Sequence, residues 1–62
     1  MKTYKIVYNK GTQQNRTKYF KYPFIKENDS KSLLYLFEDL NIWMSDNIIY
    51  QDQILEITEE EN

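Results

Sequence analysis

The sequence contains neither histidine nor cysteine, the side chains that most often serve as general base and nucleophile near neutral pH. That composition excludes Ser-His and Cys-His pairs, a thiolate nucleophile and the usual zinc ligands. Glu38 and Asp39 are adjacent acids on a predicted helix, where neighbours diverge by about 100° and do not face each other as an acid and base pair. We therefore expect no enzymatic activity and no catalytic residues.

Loops that hold phosphates or calcium are also missing from the sequence. Phosphate-binding loops need several glycines, and Gly11 is the single glycine of the chain. Calcium loops of the EF-hand type need acids at alternate positions around a glycine, a pattern found nowhere here. We expect no cofactor and no metal ion.

The longest regular segment is a predicted helix from Ser30 to Ser45, capped at its start by Asp29 or Ser30. We expect it to end between Asn41 and Asp46, with Asn47 as the candidate for a left-handed residue after it. Apolar side chains recur at helical spacing and predict one face that packs on a core. This apolar stripe consists of Leu33, Leu36, Phe37, Leu40 and Met44.

Strand patterns precede and follow the helix. Lys2–Asn9 and Arg16–Phe24 alternate between apolar and polar residues, and the polar stretch Lys10–Asn15 predicts a hairpin loop between them. Ile48–Thr58 favours two short strands over one bent strand. Residues 59–62, three glutamates and an asparagine, should form a mobile acidic tail.

These elements predict one small domain over residues 1–62, of the α+β class. We expect an antiparallel sheet in the order β-β-α-β or β-β-α-β-β, with the helix packed across one face because a lone hairpin is unstable. The predicted core consists of Tyr4, Ile6, Phe20, Tyr22, Leu33, Phe37, Leu40, Trp43, Leu55 and Ile57.

Charge is divided unequally along the chain, although the net charge is only −2. Residues 1–31 hold all eight basic side chains and two acids, whereas residues 32–62 hold eight acids and no base. This asymmetry favours a charged partner, or two copies of the chain in a homodimer.

The leading functional interpretation is a protein-binding module that uses the outer face of the helix. Apolar anchors within a polar rim are typical of interface hot spots, and carboxylates can occupy the basic groove of a nucleic-acid-processing protein in place of phosphates. The predicted binding residues are Tyr35, Glu38, Asp39, Ile42 and Asp46. We expect a basic partner protein, which the chain would inhibit.

The alternative interpretation is nucleic-acid binding by the basic, aromatic hairpin, in which cations contact phosphates and a tyrosine stacks on a base. Its predicted residues are Lys5, Arg16, Lys18, Tyr19 and Lys21. The negative net charge makes nucleic acid the less favoured partner, because the acidic half repels the same backbone.

The composition also bears on the compartment and origin of the chain. The lack of cysteine, of a long apolar run and of a signal-peptide core predicts a cytoplasmic protein that does not enter membranes. Residue types with AT-rich codons are abundant and alanine is absent, a composition associated with phages and mobile elements.

Overall fold

The structure is a computed structural model that describes residues 2–23 and 29–61. Three strands and one long helix form it, together with a single 3-10 turn at Gln51–Gln53. The elements in chain order are β1 (Lys2–Tyr8), β2 (Arg16–Tyr22), α1 (Asp29–Asn47) and β3 (Ile54–Glu61). The sheet is antiparallel in the order β2-β1-β3, and the expected α+β class is confirmed in its β-β-α-β form.

The hairpin of β1 and β2 has the expected alternation and a loop held by a side chain. Tyr4 pairs with Phe20, and the ladder continues in register to Tyr8 and Arg16. In the loop, the Asn9 side-chain oxygen accepts hydrogen bonds from the backbone N–H groups of Gly11 and Thr12, at 2.8 and 3.0 Å. Gly11 has φ +82°, a left-handed conformation that glycine adopts without steric cost.

The sheet face formed by alternate residues of β1 carries the helix. Tyr4 and Ile6 are buried there, and the Tyr4 hydroxyl lies 3.0 Å from the Ser32 hydroxyl of α1. Leu36 and Leu40 follow Ser32 at one-turn intervals and are also buried. The packed face therefore begins at a small polar residue, which the periodicity of apolar residues does not indicate.

The rotation of α1 differs from the predicted one. Its buried line runs through Ser32, Leu36 and Leu40, so the helix is turned by roughly 60° from the apolar stripe at 100° per residue. Leu33 and Phe37, placed in the core by the stripe, are 41% and 54% exposed. Their assignment to the core is wrong, because contacts with side chains of the sheet, and not the helix pattern alone, select the face that packs.

Aromatic side chains draw α1 toward β1 and β2. Trp43 makes edge-to-face contacts with Tyr8 and Phe20, at centroid distances of 5.0 and 5.9 Å. Tyr22 lies 6.2 Å from Tyr35, with the two rings stacked. Six residues take the predicted inward positions, which are confirmed for Tyr4, Ile6, Phe20, Tyr22, Leu40 and Trp43. Leu55 and Ile57 on β3 are exposed, so their assignment to the core is wrong.

The C-terminus of α1 extends one residue beyond the predicted limit and closes with Ile48 in the left-handed position expected for Asn47. Ile48 has φ 53°. The Ile49 N–H donates to the Met44 carbonyl at 2.8 Å and the Ile48 N–H to the Ser45 carbonyl at 3.4 Å, the pattern of a Schellman motif. Buried Ile49 then anchors the chain as it leaves the helix.

β3 is one strand and includes most of the predicted tail. Residues 48–50 do not form a strand, because Ile48 and Ile49 close the helix and the 3-10 turn follows directly. The prediction of two short strands over Ile48–Thr58 is therefore wrong. Glu59–Glu61 pair with Tyr4, Thr3 and Lys2 of β1, so the boundary predicted before residue 59 is wrong. The Lys2 ammonium lies 3.1 Å from the Glu59 carboxylate. Phe24, the predicted end of the second strand, lies outside the described residues, as do the side chains of Asp29 and Ser30, the predicted helix caps.

Candidate functional site

The predicted binding face of the helix forms the flank of α1 that lies beside β2. Tyr35 and Ile42 are 51% and 55% exposed, and Glu38 and Asp46 are exposed with them. These four residues fall on one side of the packed line at helical spacing. We call them the acidic flank. Large apolar side chains and carboxylates thus share one accessible strip of the helix.

Asp39, the fifth predicted residue of this face, points elsewhere. It is half-buried, and its carboxylate accepts a hydrogen bond from the Tyr22 hydroxyl at 2.6 Å. Burial and this hydrogen bond raise the pKa of Tyr22 far above its ordinary value of 10.0. Asp39 therefore joins α1 to β2 and contributes to packing.

The acidic flank is partly attached to the sheet through Tyr35. Its ring stacks on that of Tyr22 with an interplanar angle of 26°. This contact restricts the side chain while leaving half of its surface accessible. An aromatic group held in place loses less conformational entropy on binding than a free one.

The residues of the nucleic-acid interpretation are divided between the two faces of the sheet. Lys5 pairs with Tyr19, and Lys21 follows Tyr19 by two positions, so these three share the face without the helix. Arg16 and Lys18 pair with Tyr8 and Ile6 and lie on the helix face. The Lys18 ammonium sits 5.4 Å from the centre of the Phe20 ring. The five residues do not form one continuous surface.

A second apolar surface, absent from the predicted sites, lies on the other flank of α1. An open groove of about 570 Å³ separates the helix from β3. It is lined by Leu40, Asn41, Met44, Gln51, Ile54 and Ile57. Leu33 and Phe37 continue the Met44 flank of the helix toward its N-terminus. We call this surface, including Leu33 and Phe37, the β3 groove.

The width of the apolar face of the helix, which can be read from the sequence, indicates the β3 groove. Apolar residues on α1 span both the packed line and the Met44 flank. Aromatic contacts hold the helix toward β2, so the three-stranded sheet covers the packed line but not the Met44 flank. The excess width of the apolar stripe indicates an additional contact surface.

Opposite charges lie at opposite edges of the sheet. β2 carries Arg16, Lys18 and Lys21 and no acid, whereas β3 carries four glutamates and no base. The central strand separates them, which sets the edges about 10 Å apart. The Lys2 ammonium pairs with the Glu59 carboxylate. Arg16 and Lys21 on β2, and Glu56 and Glu60 on β3, are exposed and accessible to a partner.

Searches against protein-family models, curated proteins and solved structures gave no match to this chain. Over the described residues, no helix has the length and apolarity needed to cross a membrane. The same residues contain no cluster of three or more potential metal ligands.

Proposed function

We propose that this chain is a non-catalytic binding module that engages a basic protein through the acidic flank. The observation that carries the proposal is the exposure of Tyr35 and Ile42 among carboxylates on a helix whose packed face lies elsewhere. Apolar anchors supply affinity, and charges around them accelerate encounter with a partner of opposite sign.

An inhibitory role follows from the chemistry of such a partner. Basic protein surfaces commonly bind nucleic-acid phosphates, and carboxylates carry charge of the same sign as phosphates. Occupation of the surface by Glu38 and Asp46 would exclude the nucleic acid. We propose that the chain acts in the cytoplasm against a nucleic-acid-processing protein, as expected for a phage or mobile-element product.

Capture from a host lysate by the immobilised chain tests the acidic flank. Tyr35→Ala should reduce recovery of the partner strongly, whereas Leu34→Ala should not, because Leu34 is exposed on the same helix but outside the flank. Thermal unfolding of each variant supplies the folding control, since Tyr35 also contacts Tyr22. Equal capture by the parent and Tyr35→Ala would contradict the proposal.

The electrostatic part is tested with the captured partner after purification. Glu38→Lys with Asp46→Lys should slow association, and added salt should reduce the difference between this variant and the parent. An oligonucleotide should compete with the chain for the partner. A partner that binds chain and oligonucleotide simultaneously would argue against inhibition by occupation.

A further inference from the structure

The β3 groove leaves large apolar side chains uncovered beside an edge strand. Leu33, Phe37 and Ile57 are between 41% and 54% exposed, and they lie on the two elements that form the groove. Single exposed apolar residues are normal on proteins, but a contiguous group bordering a concavity is typical of an interaction surface. This surface is separate from the acidic flank, which lies on the β2 side of α1.

The edge of β3 also has hydrogen-bonding capacity for another strand. Seven of its eight residues pair with β1 along one side, with Leu55 at a β-bulge. No strand of the described residues pairs with its other side. The outer edge therefore presents backbone N–H and C=O groups in a row. β3 contains no lysine or proline, which natural edge strands often use to prevent pairing.

Charge identifies the kind of strand that fits there. Glu56 and Glu60 pair with Val7 and Thr3 and lie on the face without the helix. On the helix face, Ile57 pairs with Ile6, and the Glu59 carboxylate is neutralised by the Lys2 ammonium at 3.1 Å. A strand added at this edge would alternate in the same way, with one set of side chains beside Glu56 and Glu60 and the other over the groove. Basic side chains suit the first set and apolar side chains the second.

A second copy of this chain is a poorer occupant of the edge. Pairing of β3 with β3 from another copy would gather the four glutamates of each copy at one edge. Like charges in close cross-strand positions destabilise pairing. The glutamates thus oppose self-association and favour a basic strand.

We propose that β3 receives an extended segment of a partner protein in which apolar residues alternate with lysine or arginine. The segment adds as a fourth strand, so backbone hydrogen bonds provide affinity and alternate side chains provide specificity. Its apolar side chains enter the β3 groove between Met44 and Ile57, and its basic side chains lie beside Glu56 and Glu60. This recognition does not depend on the acidic flank.

A synthetic heptapeptide in which lysine and valine alternate is a direct probe. NMR titration of the labelled chain should shift resonances of β3 and of Phe37, and should protect β3 amides that face away from β1 from hydrogen exchange. A peptide of the same composition with its valines in one block, which keeps the charge but loses the alternation, should bind about tenfold more weakly. Equal affinity for both peptides would overturn the proposal.

A charge exchange makes the test specific to the edge. Glu56→Lys with Glu60→Lys should weaken binding of the lysine peptide about tenfold and should create binding of a peptide that alternates glutamate and valine. Phe37→Ser should weaken both interactions, whereas Tyr35→Ala should change neither. Peptide shifts confined to β2, or unchanged lysine-peptide affinity in the charge-exchange variant, would contradict the assignment.

Sedimentation of the parent chain tests whether a second copy of the chain, and not a partner segment, occupies the edge of β3. We expect a monomer at the concentrations of the titration. A concentration-dependent dimer that Ile57→Asp dissociates, with no binding of the lysine peptide, would assign the edge to a second copy and overturn the proposal.

Discussion

Leu36 and Phe37 are neighbours in the chain and occupy opposite environments. Leu36 is 1% exposed against the sheet, whereas Phe37 is 54% exposed beside the β3 groove. The difference follows from the rotation of α1, which turns successive side chains about 100° apart. Residue type alone would make the larger Phe37 the more important of the two for stability, and the structure reverses that order.

Alanine substitution at the two positions should reverse that order. Leu36→Ala should lower the free energy of unfolding by about 2 to 5 kcal/mol, because it opens a cavity in the packed face. Phe37→Ala should cost about 1 kcal/mol or less, as expected of an exposed position. Denaturant unfolding of both variants checks the prediction, and a larger loss for Phe37→Ala would contradict the helix rotation.

Tyr22 gives the fold a sensitivity to alkaline pH. Burial and the hydrogen bond to Asp39 raise its pKa in the folded state above the ordinary value of 10.0. A group with a raised folded-state pKa contributes stability that is fully present below its unfolded pKa and is lost as pH rises above it. We expect Tyr22→Phe to flatten the fall of the melting temperature above pH 10.0.

The control for this effect is an exposed tyrosine on the other sheet face. Tyr19→Phe removes a hydroxyl from an exposed tyrosine and leaves the Tyr22–Asp39 hydrogen bond intact, so the difference between the two variants isolates that contact. Melting curves between neutral and alkaline pH supply the comparison. An unchanged alkaline slope in Tyr22→Phe would show that other groups govern it.

The junction between α1 and β3 contains the strained residue of the described backbone. Ile48 has φ 53°, a conformation that is costly for a β-branched side chain. The Schellman hydrogen bonds and buried Ile49 hold it there. The packing of Ile49 thus fixes the end of the helix, although Ile48 is poorly suited to the left-handed turn.

Glycine at this position should relieve the strain. Ile48→Gly should raise the free energy of unfolding by about 0.5 to 1 kcal/mol, after the added freedom of glycine in the unfolded chain is subtracted. Tyr50→Gly is the matched control, since Tyr50 is also exposed but has φ −93° and gains nothing from glycine. Destabilisation by Ile48→Gly would indicate that the isoleucine side chain makes a contact of its own.

The whole molecule is a charge dipole across three strands. Basic side chains gather on β2 and acidic ones on β3, while the net charge of the chain is −2. Because Arg16 and Lys18 lie on the opposite sheet face from Lys5 and Lys21, the basic edge offers a nucleic acid no single continuous contact surface.

We expect this charge distribution to give only weak, salt-sensitive contact with nucleic acid. We predict little retention of a labelled oligonucleotide at physiological salt, and at low salt a weak retention that Lys21→Glu reduces. Fluorescence anisotropy over a salt series measures both. Tight retention at physiological salt would favour the hairpin as the functional surface over the acidic flank.

Several features of the fold follow from local chemistry and could be predicted. Period-two alternation placed Tyr4 and Ile6 on the packed side of β1, and the polar stretch with Gly11 marked the hairpin loop. The exposed positions of Tyr35 and Ile42 were also predicted. These results depend on neighbours along the chain, so the sequence alone was sufficient for them.

Only the tertiary structure decided how the helix lies on the sheet. The Ser32–Tyr4 contact and the aromatic contacts of Trp43 and Tyr22 select its rotation, since periodicity defines an apolar stripe but not the partner that covers it. The same contacts draw α1 toward β2, partly bury Asp39 and leave the β3 groove open. Residues far apart in sequence set these outcomes, and no local pattern contains them.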